Sequence, residues 1–71
     1  MSLFQSDSYG KPISEELSEL LKEFTTKDDR ANVSIETGVS VSTIRDVSYR
    51  NNMLTESNSV AIVELIKVTK E

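Results

Sequence analysis

Ser42, Arg45 and Asp46 are the residues of this chain whose types and spacing best suit recognition chemistry. They follow Gly38-Val39-Ser40 and are interleaved with Ile44 and Val47. A glycine can close one helix in the left-handed conformation, and Ser40 can cap the next. Ile44 and Val47 then share one face, while Ser42, Arg45 and Asp46 are left on the other. The stretch reads as the turn and second helix of a helix-turn-helix. Its polar face has the size to enter the major groove of duplex DNA.

Other chemistries find little to work with. The chain has no cysteine and no histidine, so a structural zinc site and a histidine acid/base are not expected. Glu15-Glu16 and Asp28-Asp29 could suggest a cation site. Each pair instead falls in the first turn of an expected helix, where the dipole favours acid. No glycine-rich phosphate loop and no nucleophile-with-base arrangement is visible. The expectation is a non-enzyme with no cofactor and no metal.

The charge balance bears on a DNA partner. The net charge is −4, which is unusual for a nucleic-acid binder. Residues 1–29 carry three lysines against seven carboxylates, whereas residues 30–71 are balanced at five against five. All three arginines, Arg30, Arg45 and Arg50, fall in the second part. The 71 residues suit one domain with one small core. No apolar run reaches the ~20 residues of a membrane span, and the N-terminus lacks a signal-peptide layout. The expected location is cytoplasmic, without a membrane partner.

The elements that must position these residues follow from periodicity. Residues 1–12 show no period and read as a flexible N-terminal arm, with Leu3 and Phe4 free to dock on the core or a partner. Leu17, Leu20, Leu21 and Phe24 make one apolar stripe on a first helix capped by Ser14. A second helix runs from about Asp28 to Thr37, capped by Thr26 or Asp28 and ended by Gly38. A third runs from about Val41 to Tyr49 or Arg50 and breaks at Asn51-Asn52, because asparagine tolerates left-handed angles. Met53 and Leu54 should tuck into the core. Thr55 caps a fourth helix to about Val68. Its Val60, Ala61, Ile62, Val63, Leu65, Ile66 and Val68 exceed one apolar stripe, which points to a homodimer through the C-terminal helix. Val33, Val39, Ile44, Val47 and Leu20 should be buried together. The fold class is all-α: a small four-helix domain over residues 13–71 behind the arm.

Arg30 to Val47 resembles the core of the lambda-repressor-like and lac-repressor-like helix-turn-helix domains. The apolar positions Val33, Val39, Ile44 and Val47, the small Ser34 and Gly38 match that pattern, and Gly-Val-Ser-x-x-Thr-Ile is similar to the lac-type turn. Ser34 is usually alanine or glycine there, and Thr37 is more polar than usual. The resemblance implies that Val41, Ser42, Arg45 and Asp46 read bases. Arginine can grip guanine O6 and N7, valine can meet a thymine methyl, and aspartate can accept from cytosine N4 or orient Arg45 or Arg50. It implies phosphate contacts from Arg30, Ser40, Thr43, Tyr49 and Arg50. Plain structural roles compete: a cap for Ser40, a core ring for Tyr49, a solvated charge for Arg45. The implied function is a sequence-specific double-stranded-DNA-binding protein, a small transcriptional regulator of repressor or phage-regulator type. The alternative is a protein–protein interaction module that keeps the fold without DNA binding.

Overall fold

Four helices begin where a hydroxyl side chain caps them. A computed structural model describes Phe4 and residues 6–70. Leu3, named above as a docking residue, lies outside the described residues. Helix α1 is Glu15–Phe24, α2 is Lys27–Thr37, α3 is Val41–Ser48 and α4 is Glu56–Thr69. Ser14, Thr26, Ser40 and Thr55 each accept a hydrogen bond from the backbone of the first turn that follows. For α2 and α4 the bond is reciprocated, because Asp29 and Asn58 reach back to the capping residue's own N–H. The chain is all-α among its described residues.

Helix α4 is the centre of the packing. It contacts α1, α2 and α3. Ala61, Ile62 and Leu65 are fully buried, and Ile66 nearly so. They meet Leu21 of α1, Val33 of α2, and Ile44 and Val47 of α3 in one core with Ile13 and Leu54. Much of the apolar surface of this helix is therefore used inside the chain, with Val63 and Val68 half-buried. Of its large apolar side chains only Val60 is fully at the surface, at 50% exposure. A homodimer through the C-terminal helix would have to use Val60 and the half-buried Val63 and Val68. No helix is long and apolar enough to cross a membrane among the described residues.

The inward face of α1 differs from the expected stripe. Leu21 is buried, but Leu20 is 37% and Phe24 55% exposed. The buried positions are Ser18 and Leu21, with Thr25 just beyond the helix. Ser18 donates to the carbonyl of buried Ser48 at 2.7 Å, and Ser48 donates to that of Ile44 at 2.7 Å. Two small hydroxyl residues thus let α1 and α3 approach closely. That contact turns Leu20 out of the core. Val33, Ile44 and Val47 are buried as expected, and half-buried Val39 packs against them.

The segment before α1 is tied down. The Gly10 N–H donates to the Leu54 carbonyl at 2.8 Å, and the Leu54 N–H to the Lys11 carbonyl at 2.9 Å. Phe4 and Tyr9 pack against the core. The arm is therefore docked where it is described, with a short 3-10 turn over Ser6–Ser8. Leu54 is buried, but Met53 is 50% exposed. The Met53 backbone carbonyl, rather than its side chain, is held, by the Asn58 amide at 3.2 Å.

Candidate nucleic-acid interface

Gly38 ends α2 at φ 80° and ψ 0°, a conformation that only glycine adopts without steric cost. Its N–H donates to the Ser34 carbonyl at 2.8 Å. Thr37 fastens the connection from within. Its hydroxyl donates to the Val33 carbonyl at 2.7 Å and accepts from the Val39 N–H at 3.3 Å. The polar residue that departs from the resembling families therefore has a structural task. Ser40 then caps α3, accepting from the Thr43 N–H at 3.2 Å. Its hydroxyl donates to that of Thr43 at 2.8 Å, so these two candidates are paired with each other.

Helix α3 has one buried and one open face. Ile44, Val47 and Ser48 are buried, while Val41, Ser42 and Arg45 are exposed. Val41 shows 39% of its surface and the Arg45 side chain 54%. The Arg45 guanidinium lies 3.4 Å from the Asp46 carboxylate. Asp46 thus orients Arg45, and does not pair with Arg50. Tyr49 follows one turn after Arg45, and its N–H donates to the Arg45 carbonyl at 3.0 Å.

Tyr49 is 38% exposed, so it is not a core ring. The Arg30 guanidinium carbon lies 5.7 Å from its ring centroid and the Lys22 ammonium 5.4 Å. Such distances are within reach of cation–π attraction. The structure therefore brings Arg30 and Tyr49 together and adds Lys22. Sequence reasoning missed Lys22, because no local spacing links α1 to the end of α3.

Arg50 has a structural role that the sequence does not announce. Its backbone takes φ 64°, so the left-handed turn after α3 falls on an arginine and not on Asn51 or Asn52. Its Nε donates to the Ile13 carbonyl at 2.8 Å, and its terminal nitrogen lies 3.4 Å from Glu15. The side chain clamps the entry of α1 to the exit of α3. Acid from α1 therefore stands beside this end of α3. Among the described residues no group of acidic side chains could hold a metal ion. No family model, curated protein or solved structure matches the chain.

Proposed function

We propose that this chain is a small regulator that binds double-stranded DNA through α3, with α2 and α3 acting as a helix-turn-helix. One observation carries the reading. A short helix with a fully buried inner face presents Val41, Ser42, Arg45 and Tyr49 in succession outward, with Arg30 held against the last of them. In the major groove, Arg45 meets a guanine edge, Ser42 a base edge and Val41 a thymine methyl. Asp46 holds Arg45 ready. Their exposed ion pair is worth about 0–1 kcal/mol, so it exchanges readily for a base contact. Arg30, Ser40, Thr43 and Tyr49 take phosphates, which set register without reading sequence. Arg50 drops out of the phosphate set, since its guanidinium already serves Ile13 and Glu15.

The protein-interaction reading has its own support. Ile35 on α2 is 82% exposed and Phe24 on α1 is 55% exposed. Neither has a use against a phosphate backbone.

Fluorescence anisotropy with labelled random duplexes and genomic fragments, at rising salt, separates the two. Salt-sensitive binding is expected, with a preferred fragment. Arg45→Ala should weaken the preferred site by about 1–3 kcal/mol and relax its specificity at one position. No binding at low salt gives the protein-interaction reading the field.

A further inference from the structure

We propose that Lys22, Arg30 and Tyr49 form a phosphate clamp in which each cation neutralises its own phosphate, and through which α1 joins the DNA contact. The inference rests on the DNA-binding reading and adds a residue from outside the α2–α3 unit. Two cations from different helices converge on one half-exposed ring, at 5.4 and 5.7 Å from its centroid.

Arg30 is the arginine that lacks a carboxylate partner. Arg45 and Arg50 each have a carboxylate at 3.4 Å. No ion pair or hydrogen bond holds the Arg30 guanidinium among the described residues, and its Nε is shielded from solvent with no partner. The guanidinium lies over the Tyr49 ring, and the Arg30 residue is only half-buried. Acid from α1 reaches Lys22 but not Arg30, with Glu15, Glu16 and Glu19 lining the depression beside Lys22 and Tyr49. Glu15 pairs with Arg50, and Glu19 reaches only Lys22, at 4.0 Å and largely exposed.

A phosphodiester fits the vacant role. One phosphodiester can take the terminal guanidinium N–H groups and a neighbouring one the ammonium. Tyr49 stands one turn beyond Arg45, so the clamp lies at the end of the face that enters the groove. There it meets the backbone of the groove wall.

The test is the salt dependence of duplex binding by the parent, Lys22→Gln, Arg30→Gln, the double variant, Tyr49→Phe and Tyr49→Ala, with thermal midpoints confirming that each is folded. Each glutamine variant should lower the slope of log K against log salt by about 0.9, the value of one phosphate. The double variant should lower it by two such steps, one for each cation. Across a fourfold rise in salt, each single variant should lose roughly 3–4-fold less affinity than the parent loses. Tyr49→Phe keeps the ring and should keep the parental slope, while Tyr49→Ala lowers it. Base preference stays unchanged throughout. Parental slopes in Lys22→Gln and Arg30→Gln overturn the clamp and leave the DNA reading standing. A double variant that loses no more slope than either single variant overturns the separate contacts. A parent that binds no duplex at low salt overturns the DNA reading and the clamp with it.

Discussion

Arg50 joins two opposing effects whose magnitudes can be weighed. Its left-handed backbone, at φ 64°, costs a non-glycine residue about 1–2 kcal/mol. Its Nε bond to the buried Ile13 residue's carbonyl, at 2.8 Å, is a charged hydrogen bond worth about 1.5–3 kcal/mol. The pair with Glu15 is exposed and adds at most a few tenths of a kcal/mol. Arg50→Ala keeps the backbone cost and loses the bond, so it should destabilise by about 1.5–2.5 kcal/mol. Arg50→Gly loses the same bond but relieves the backbone, so it should be more stable than the alanine variant by about 1 kcal/mol. Urea unfolding of the parent and both variants, read by circular dichroism, measures the order parent, glycine, alanine. An alanine variant as stable as the parent, or more stable than the glycine variant, refutes this reasoning. The DNA salt slope should not change in either, in contrast to the variants of the Arg30 cluster.

The other expectations are simpler. Ile44→Ala should cost about 2–5 kcal/mol by urea unfolding, since the side chain is fully buried between α3 and α4. Leu21→Ala should cost a similar amount, whereas Leu20→Ala should cost well under half as much, because it is 37% exposed. Sedimentation of the free protein at micromolar concentration should give a single-chain mass, since Ile62 and Leu65 are packed within the chain. A dimer dispersed by Val60→Glu would make α4 an interface.

The helices were legible because their ends carry chemistry. Ser14, Ser40 and Thr55 are caps by type and position, and Gly38 is a helix terminator. Ile44 and Val47 gave the inner face of α3 from spacing alone. What spacing could not give was the rotation of α1, which depends on Ser18 meeting Ser48, thirty residues away. Polar serines hide in a hydrophobic pattern, so Leu20 was read as core in their place. The fourth helix is ambiguous for a related reason. Excess apolar surface marks contact, but not whether the contact lies within the chain. The candidate site divides in the same way. Val41, Ser42 and Arg45 lie on one open face because the local helix puts them there. Lys22 and Glu15 arrive from α1 through packing, and Arg50 is diverted to Ile13 by a backbone angle that composition would assign to Asn51 or Asn52.

The central claim is that the open face of α3 contacts duplex DNA. Its most direct test is titration of isotope-labelled protein with a short duplex at low salt, following backbone amide shifts by NMR. The expected result is a salt-reversible set of shifts centred on Val41, Ser42, Arg45 and Tyr49, extending to Arg30 and Lys22 but sparing Ile35 and Val60. A spectrum unmoved by duplex, or shifts confined to Ile35 and Phe24, contradicts it.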